Sequence, residues 1–346
     1  MVVFDVIIVG AGPAGCAAAY DLGAAGKKVL LLDKENFPRK KSCAGMIPAS
    51  VVKNLRYSVA PVLHRKVSRS RITLNDETSE YISETIFLAS RAEFDHYCLM
   101  QTLQQGVLFK RIEGIAEIDL SCGVLIHTEE GEALRANVVI GCDGAVSAVR
   151  KILRPEVRPA YAFALEAEVP HCPHIPKEEI YFDFTAVKNG YGWICSKKDH
   201  INAGIYCRDR RHIKKADLIR FIRKYGLEEP PEISGALINI GNKTTPIAAD
   251  DVLLAGDAAG FTDALTGGGI HEAVISGKCA AQAVLESQCI KPFQRYRELI
   301  RPLQLRIENK KKCADFLYAR IPSEQSFAEL LHRIPLSAIG GTPVEL

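Results

Sequence analysis

The chain has 346 residues, 47% of them hydrophobic and 25% charged, as in an ordinary globular protein with a core large enough for two or three domain-like units. Its 44 lysines and arginines stand against 41 aspartates and glutamates, and the formal net charge of +3 is too small to indicate nucleic-acid binding. No apolar run reaches the roughly 20 residues that span a bilayer, and the N-terminal segment lacks a basic region and a cleavage site, so we expect a cytoplasmic protein.

The eleven cysteines agree with that setting if most of them are free thiols. The closest two are Cys279 and Cys289, and no C-x-x-C occurs, which argues against a zinc ribbon, a thioredoxin-type dithiol or an iron–sulfur cluster. The only compact group of metal-ligand residues, His171 to His174, has no second group to complete it. We therefore predict no metal site.

The N-terminal residues are predicted to form a strand, a helix and a second strand. Phe4–Val9 (FDVIIV) is β-branched and apolar, which is typical of a buried parallel strand. A glycine-rich turn leads into an alanine-rich helix over Ala14–Ala25. A second buried strand, Lys28–Leu32 (KVLLL), then ends at Asp33. This is one βαβ unit.

The rest of the chain is predicted to mix such elements with a strand-rich region. We predict strands at Ile72–Leu74, Tyr81–Phe87, Asn137–Gly141 and Val252–Ala255, a hairpin or meander over 107–118 and 123–128, and helices at Arg91–Gln104, Ala216–Tyr225, Gly269–Ser287 and beyond Pro292. Alternating strands fill most of the region from Tyr161 to about Ala236. Elements typical of a dinucleotide-binding domain lie in three separate stretches, at residues 1–35, 137–150 and 252–287. One nucleotide-binding domain is therefore predicted to be interrupted by a strand-rich one.

The first chemical motif is Gly10-Ala11-Gly12-Pro13-Ala14-Gly15, between the first strand and the first helix. Gly10 permits a tight turn, Gly12 lets the backbone approach a pyrophosphate, and Gly15 lets the helix pack on the strand. The helix N-terminus favours the negative charge of phosphate. Asp33 can accept hydrogen bonds from both ribose hydroxyls and disfavours a 2′-phosphate, so the motif predicts FAD or NAD rather than NADP.

Two further motifs follow predicted strands. Gly256–Gly260 (GDAAG) leads through Leu265–Ile270 (LTGGGI) into a helix, and its Asp257 is placed to bind a polyol hydroxyl. The other is Cys142–Ala145 (CDGA), directly after the strand NVVIG. The glycines of both motifs allow the backbone to come close to a cofactor.

Together the three motifs resemble those of FAD-dependent oxidoreductases of the p-hydroxybenzoate-hydroxylase type, in which a G-x-G-x-x-G, a D-G and a G-D motif wrap one FAD. The resemblance implies an α/β (α+β) fold. Its parts are a Rossmann-like FAD-binding domain over 1–70, 91–155 and 240–290, a substrate-binding antiparallel-sheet domain over 71–90 and 156–239, and a short C-terminal helical region over 291–346. No second G-x-G-x-x-G is present, so a separate NAD(P)H-binding Rossmann domain is not expected.

Within that superfamily the sequence resembles the geranylgeranyl reductase family. Lys40–Gly45 (KKSCAG) is similar to the K-x-C-G-G loop beside the flavin, with alanine in place of one glycine. Ser90–Asp95 is similar to the R-x-x-F-D helix start, whose arginine, here Arg91, contacts FAD. Tyr191–Lys197 (YGWICSK) is similar to Y-x-W-x-F-P-K, with Cys-Ser in place of Phe-Pro. The G-D-A-A-G to T-G-G-G-I block matches closely.

The resemblance implies where FAD is held. The implied cofactor-binding residues are Gly10, Gly12, Pro13, Ala14, Gly15, Asp33, Lys34, Cys43, Ala44, Gly45, Arg91, Ile115, Asp143, Gly144, Asp257, Gly268, Gly269 and Ile270. Cys43 is predicted to be the catalytic residue, close enough to the flavin to affect its reactivity or to meet the substrate.

Tyr191 and Trp193 stand two apart on a predicted strand and therefore face the same side. One interpretation is the wall of an apolar pocket that holds an isoprenoid tail over the flavin. The alternative is an ordinary sheet-face pair, which the spacing alone favours and the resemblance disfavours. We expect Lys197 to be an exposed cation at the strand end and His271 to be structural. The basic stretch Arg297–Lys312 is either a solvated helix face, which its charge pattern favours, or a surface for anionic lipid.

The function implied by the resemblance is FAD-dependent reduction of carbon–carbon double bonds in a prenyl lipid, such as a geranylgeranyl group. Hydride comes from N5 of the reduced flavin, and NADPH or a ferredoxin-type protein serves as the transient donor. The partners implied are an isoprenoid lipid or another apolar small molecule and a peripheral membrane contact, with no nucleic acid. Two alternatives stay open: an aromatic or polyketide hydroxylase of the same fold, which consumes oxygen, and a flavoprotein without turnover that binds isoprenoids or a protein.

Overall fold

Two β-sheets with helices packed against them make up the described part of the chain. The computed structural model describes residues 2–75, 77–121, 123–241, 247–287 and 290–321. The strands are β1 (Val3–Val9), β2 (Val29–Asp33), β3 (Met46–Pro48), β4 (Arg65–Leu74), β5 (Glu77–Leu88), β6 (Leu108–Arg111), β7 (Ile115–Asp119), β8 (Val124–Thr128), β9 (Ala133–Gly141), β10 (Tyr161–Val169), β11 (Glu179–Asp183), β12 (Gly190–Ser196), β13 (Ile201–Cys207), β14 (Ser234–Asn239), β15 (Ala248–Ala249) and β16 (Val252–Leu254). The helices are α1 (Pro13–Ala24), α2 (Ala49–Asn54), α3 (Arg91–Leu103), α4 (Ala148–Leu153), α5 (Lys215–Lys224), α6 (Ile270–Leu285) and α7 (Pro292–Arg320).

The first sheet is mostly parallel, with the order β15-β16-β9-β1-β2-β6 and with β7 and β8 attached through β9. Its central strands are nearly continuous runs of Val, Ile and Leu, because both faces of the sheet are covered. Val9 pairs with Leu32 on one side and with Gly141 on the other, and Gly141 pairs with Leu254. The carboxyl ends of these strands are therefore level, and the loops that follow them meet at one edge.

The second sheet has the order β14-β10-β13-β12-β11-β4-β5-β3 and is antiparallel except where β11 runs parallel to β4. Its side chains alternate between two faces, as the two-residue period of a strand requires. One face packs on α5, with Ile194, Ala203 and Ile205 against Phe221. The other face, which we call the inner face, carries Tyr191 and Trp193 together with Tyr81, Phe182 and Tyr206.

Helix α7 spans both sheets. Tyr296 and Ile300 are buried in the core of the first sheet, and Leu317 and Tyr318 are buried in the cluster on the inner face of the second. The basic tail expected beyond Pro292 is thus helical as far as Arg320, and the part of that prediction over 322–346 lies outside the described residues. Within the described ranges, none of the helices is both long and apolar enough to cross a membrane.

The α/β fold expected from the sequence is confirmed, and two details of the prediction differ from the structure. Residues 108–111 do not form a hairpin with the strand that follows, because β6 pairs parallel with β2 after the crossover through α3. Strand β3 and the whole of β4 pair in the second sheet, although the predicted division placed residues 46–70 in the FAD-binding domain. The domain boundaries themselves stay a prediction.

Candidate active site

The three glycine motifs meet at the carboxyl edge of the first sheet. They follow β1, β9 and β16, which are neighbours in that sheet. A methyl group on Gly10 would lie 2.3 Å from the carbonyl oxygen of Cys142, and one on Gly256 would lie 3.2 Å from the Cβ atom of Ala14. Ligands of open parallel sheets bind at this edge. The loops are therefore placed to share one ligand.

The glycines of the site differ in what surrounds them. A methyl group on Gly15 would lie 1.8 Å from the Gly10 carbonyl oxygen, and Gly10 has a φ of 105°, so neither position accepts a side chain. In contrast, the nearest atom to a methyl group on Gly12 is a guanidinium nitrogen of Arg39 at 3.6 Å, and on Gly144 nothing lies within 4 Å. Gly12 and Gly144 therefore border open space beside the N-terminus of α1.

Asp33 connects the first glycine turn to the loop after β2. One carboxylate oxygen accepts the N–H of Ala11 at 2.7 Å, and the other accepts the N–H of Glu35 at 2.9 Å. Each carboxylate oxygen can accept a second hydrogen bond, which leaves one position per oxygen for the ribose hydroxyls predicted there. Lys34 is exposed beside it, and Ile115 is buried at the start of β7, one loop away from the end of β6. Their cofactor contacts stay predictions.

Asp143 has one carboxylate oxygen that the protein satisfies and one that it leaves free. Its Oδ2 atom accepts the backbone N–H groups of Ala148 and Val149 at 2.7 and 3.1 Å and so caps α4. Its Oδ1 atom is buried without a hydrogen-bond partner among the described residues, and burial raises the pKa of this carboxyl group. Unpaired buried acceptors are rare in folded proteins, so Oδ1 fits a hydroxyl or amide donor of a ligand.

Arg150 ties the second motif to the third. This buried guanidinium donates to the carbonyl oxygens of Ala258 at 2.7 Å and Ala145 at 2.8 Å, and to the hydroxyl of Tyr161 at 3.1 Å. It fixes two loops that are 108 residues apart in sequence. The sequence pattern places Arg150 near the motif but does not reveal this bridging role.

Asp257, the aspartate of the GDAAG motif, lies beside the residue that precedes α6, Gly269. Its Oδ1 atom accepts the hydroxyl of Thr262 at 2.9 Å and would lie 3.0 Å from a methyl group on Gly269. Burial raises the pKa of Asp257, against the Thr262 bond and the charges of Lys41 and Arg91, which lower it. Gly268, Gly269 and Ile270 follow at the N-terminus of α6, which has no side-chain cap.

These observations fit FAD. Two helix N-termini and the backbone at Gly12 can hold a pyrophosphate and flavin carbonyl oxygens, and Asp33 and Asp257 have oxygens placed for ribose and ribityl hydroxyls. The open positions at Gly12 and Gly144 leave room for the approach. The residues present are therefore chemically suited to the cofactor that the motifs predict.

The loop Cys43-Ala44-Gly45 is held by residues of the second sheet. The N–H of Cys43 donates to Oε1 of Glu166 at 2.7 Å, and the thiol of Cys195 donates to the Ala44 carbonyl oxygen at 3.9 Å. Gly45 has a φ of 69°, and a methyl group there would lie 2.0 Å from the Ala89 carbonyl oxygen. The loop is thus held by the inner face of the second sheet on one side and by the end of β5 on the other.

Two arginines connect this loop to the first glycine turn. Arg91 makes two hydrogen bonds to the Asp95 carboxylate, at 2.9 and 2.8 Å, and Arg39 pairs with the same carboxylate at 3.0 Å. Burial lowers the pKa of Arg91, but Asp95 and the neighbouring Cys43 thiol raise it above its ordinary value. A guanidinium nitrogen of Arg39 is also the nearest atom to a methyl group on Gly12, so these ion pairs connect the first glycine turn with the surroundings of Cys43. The sequence left Arg39 near either phosphate or solvent.

Tyr191 and Trp193 lie on the inner face, both buried. The ring of Tyr191 lies 6.2 Å from that of Trp193, 5.5 Å from that of Tyr206 and 5.7 Å from that of Phe182, between centroids. Ala44 packs against the same cluster. The structure therefore brings the predicted aromatic pair to the loop of Cys43, while its contact with substrate stays a prediction.

The loop before Gly267 is held by tyrosine hydroxyls. Three consecutive carbonyl oxygens each accept one such bond: Ala264 from Tyr206 at 2.9 Å, Leu265 from Tyr318 at 2.6 Å, and Thr266 from Tyr191 at 2.5 Å. The tyrosines come from β12, β13 and α7. We call this arrangement the tyrosine clamp. It was not apparent in the sequence, because its members are scattered along the chain.

Lys197 differs from its prediction. It was expected to be exposed, yet it is only 3% exposed, because the end of β12 passes under the Cys43 loop. A methyl group on Gly45 would lie 3.1 Å from its Nζ atom.

His271 accepts a hydrogen bond from Arg306 at 3.0 Å, and burial together with the Arg306 and Lys310 charges lowers its pKa to about 4.

The His171–His174 segment is the compact group of candidate metal ligands for which the sequence predicts no metal site. There the Cys172 sulfur lies 2.9 Å from Nδ1 of His174. In the part of the chain that the structure describes, no group of three or more His, Cys, Asp or Glu residues is arranged to hold a metal ion. The nine cysteines in the same ranges are free thiols.

Comparison with known proteins places this site in a family. Residues 5–85 match the family model described as FAD dependent oxidoreductase. An uncharacterized protein of Methanosarcina barkeri is 31% identical over 336 residues, which cover 92% of this chain and 85% of that protein. Digeranylgeranylglycerophospholipid reductase 3 of Methanosphaera stadtmanae is 28% identical, over 81% of this chain and 78% of its own. The chain belongs to the geranylgeranyl reductase family of FAD-dependent oxidoreductases.

Solved structures agree on the fold of this geranylgeranyl reductase family member. A geranylgeranyl bacteriochlorophyll reductase-like protein from Thermoplasma acidophilum has a TM-score of 0.78 at 22% identity, covering 98% of this chain and 95% of its own. A probable FAD-dependent monooxygenase from Pseudomonas aeruginosa has a TM-score of 0.71 at 19% identity, covering 96% and 100%. At such identities the likeness shows the fold alone. The family assignment makes the protein an FAD-dependent oxidoreductase.

Proposed function

We propose that this protein reduces carbon–carbon double bonds in a prenyl chain, such as a geranylgeranyl group. The observation that carries the proposal is the position of the Cys43 loop. It packs on the aromatic inner face, and Arg91, Asp95 and Arg39 connect it to the first glycine turn. Relatives named digeranylgeranylglycerophospholipid reductase and geranylgeranyl diphosphate reductase support the same substrate class.

The residues of the first sheet would hold the cofactor. Gly12 and the N-terminus of α1 would bind the pyrophosphate, Asp33 the adenosine ribose, and Asp257 with Gly269 the ribityl and flavin end. Bound FAD supplies the redox chemistry, which is hydride transfer from N5 of its reduced form. Arg39 is a further candidate for the pyrophosphate, since it lies beside Gly12.

The inner face suits an apolar substrate. The hydroxyls of Tyr191, Tyr206 and Tyr318 all donate to loop carbonyl oxygens, so these residues offer their rings rather than donors to a ligand. The indole N–H of Trp193 is likewise engaged, at 2.8 Å from Oδ1 of Asn202. A hydrocarbon chain needs no polar partner, whereas a phenolic or carboxylated substrate does, because unpaired buried polar groups are costly. This favours a prenyl chain.

Cys43 would meet the substrate at the edge of this face. Its backbone is fixed by Glu166, and its thiol lies beside Arg91. Together with the packed aromatic side chains, the loop would keep water away from the reacting double bond. NADPH or a ferredoxin-type protein as donor, and contact of the basic face of α7 with a lipid surface, belong to the same proposal.

The test is anaerobic reduction of a geranylgeranyl lipid. Chemically reduced protein mixed with the lipid should reoxidise, and mass spectrometry should find two hydrogens added per double bond. Cys43→Ala should lower turnover at least about tenfold while FAD stays bound. Cys172→Ala, a half-buried thiol away from the site, is the matched control and should leave turnover unchanged. A flavin that stays reduced, with no change in lipid mass, contradicts the proposal.

The second candidate is a hydroxylase, which the fold shared with a probable monooxygenase keeps in view. A hydroxylase consumes oxygen and NAD(P)H in proportion to substrate. Oxygen uptake stimulated by an aromatic substrate, with no reduction of any prenyl lipid, would select this function.

A further inference from the structure

A buried carboxylate links the aromatic inner face to the Cys43 loop. Glu166 lies on β10, and Ala162 and Ala164 of the same strand pack on the same face. It is 8% exposed and so is largely removed from water. Isolated buried carboxylates are strongly unfavourable, so the partners of this one deserve an explanation.

The hydrogen bonds around Glu166 have a defined direction. The Trp193 indole N–H can only donate, and it donates to Oδ1 of Asn202 at 2.8 Å. The Asn202 amide nitrogen is therefore turned toward Oε2 of Glu166, at 3.3 Å. The other carboxylate oxygen, Oε1, accepts the N–H of Cys43 at 2.7 Å. A continuous chain thus runs from the aromatic face to the backbone of the predicted catalytic residue.

The neighbouring strands leave space for this chain. Gly204 of β13 stands opposite both Trp193 and Glu166, and a methyl group on it would lie 2.1 Å from the indole ring. The ring can therefore lie across β13 and reach Asn202. No other residue type fits under the ring at that position.

Groups near Glu166 offset only part of the cost of its burial. Burial and the Glu168 charge raise the pKa of Glu166, and the Asn202 bond, the Lys197 charge and the Cys43 N–H lower it by less, so the pKa stays above its ordinary value. Lys197 is itself buried and lies against Gly45, the other end of the same loop. The two charged residues therefore face the loop of Cys43 from one side.

We propose that Glu166 is a positioning residue that anchors the backbone of Cys43, with Asn202 and Trp193 holding its carboxylate in place. The inference rests on the proposed function for its meaning in turnover. Occupation of the aromatic face and the position of the Cys43 thiol are then coupled through Glu166. This residue lies 123 positions after Cys43 and 36 positions before Asn202 in the sequence.

The test measures the Cys43 thiol directly, in FAD-loaded protein without substrate. The rate of Cys43 alkylation by iodoacetamide is followed by peptide mass spectrometry, with Cys172 as the internal standard. Glu166→Ala should raise the Cys43 rate about tenfold, because a hydrogen bond to a charged group is lost and the loop opens. Glu166→Gln keeps a carbonyl acceptor for the Cys43 N–H but turns an amide donor toward the Asn202 donor, so its Cys43 rate should lie between those of the wild type and Glu166→Ala.

Trp193→Phe removes the indole N–H and keeps an aromatic ring, so it should shift the Cys43 rate in the same direction as Glu166→Ala. Because both substitutions act on the same chain of hydrogen bonds, Cys43 in the Glu166→Ala, Trp193→Phe double variant should react no faster than in Glu166→Ala alone. The matched control is Glu168→Ala, two residues further along β10 with a largely exposed carboxylate, which should leave the rate unchanged. In turnover, Glu166→Ala should lower kcat more than it raises KM.

An unchanged Cys43 rate in Glu166→Ala overturns the inference, as does a Gln variant that behaves like alanine. If Glu166→Ala does not fold, Asn202→Ala replaces it, and an unchanged rate there is equally decisive. The alkylation result does not depend on the substrate. A wild-type protein that reduces no prenyl lipid therefore refutes the proposed function while a tenfold change in Cys43 rate still supports the anchoring role.

Discussion

The tyrosine clamp is expected to control how tightly FAD is held. Tyr318 is buried, and its hydroxyl donates to the Leu265 carbonyl oxygen at 2.6 Å. Tyr318→Phe removes that hydroxyl and keeps the ring, so one buried carbonyl oxygen loses its donor. Such a loss costs about 1–3 kcal/mol. The clamped loop leads directly to Gly268 and Gly269 at the start of α6, where the flavin end of FAD is predicted to lie.

The size of the effect follows from this loss. If the loop must be in its clamped conformation to bind FAD, about 1.4 kcal/mol of lost stabilisation raises the Kd for FAD up to about tenfold. Tyr191→Phe and Tyr206→Phe should act in the same direction. Because the three carbonyl oxygens are consecutive, the triple variant should lose less than the sum of the single effects.

The assay is titration of the apoprotein with FAD, followed by flavin fluorescence, beside urea unfolding of the same samples. The matched control is Tyr225→Phe, whose hydroxyl donates to Asp183 at 3.0 Å near α5, on the opposite face of the same sheet. It should lose stability without loss of FAD affinity. If Tyr318→Phe and Tyr225→Phe bind FAD equally well, the clamp has no role in holding the cofactor.

Two further substitutions test the site through stability. Arg150→Met should lower the free energy of unfolding by about 3 kcal/mol, because two buried carbonyl oxygens and a hydroxyl lose their donor. The control is Arg154→Met, at the exposed end of α4, which should change the free energy of unfolding by less than about 0.5 kcal/mol. Urea unfolding measures both. His271 has a folded pKa of about 4, below its ordinary value of 6.5, so the unfolded chain binds the proton more readily and wild-type stability should fall as the pH drops from 6.5 toward 4. For this half-buried ring we expect the free energy of unfolding to fall by about 1 kcal/mol between pH 7 and pH 5. His271→Gln should lack this decrease. Equal pH dependence of stability in both proteins would contradict the assignment.

Several elements of the site could be predicted because their chemistry is local. The turn Gly10–Gly15 combines a strand, a backbone approach and a helix start within one short stretch, and each requirement selects glycine. Asp143-Gly144 and Asp257 follow their strands directly, and parallel strands bring such loops to one edge whatever the rest of the chain does. The period of two on β12 was likewise enough to put Tyr191 and Trp193 on one face.

Other parts depended on contacts that no local pattern contains. Glu166 reaches Cys43 across 123 residues, and Lys197 is buried only because a loop from the other end of the chain covers it. Arg39 stands in a basic run for which the sequence leaves phosphate or solvent open, and its ion pair with Asp95 on α3 places it beside the first glycine turn.

By itself the sequence determined the cofactor class, the family resemblance and the edge of the sheet where the three glycine motifs meet, because these rest on short motifs tied to regular strands and helices. Only the tertiary structure decided which side chains support them. The tyrosine clamp, the Arg150 bridge and the chain from Trp193 to Cys43 all join segments far apart in sequence. Their hydrogen bonds exist because the two sheets and α7 pack together, and that packing is a property of the whole fold rather than of any segment.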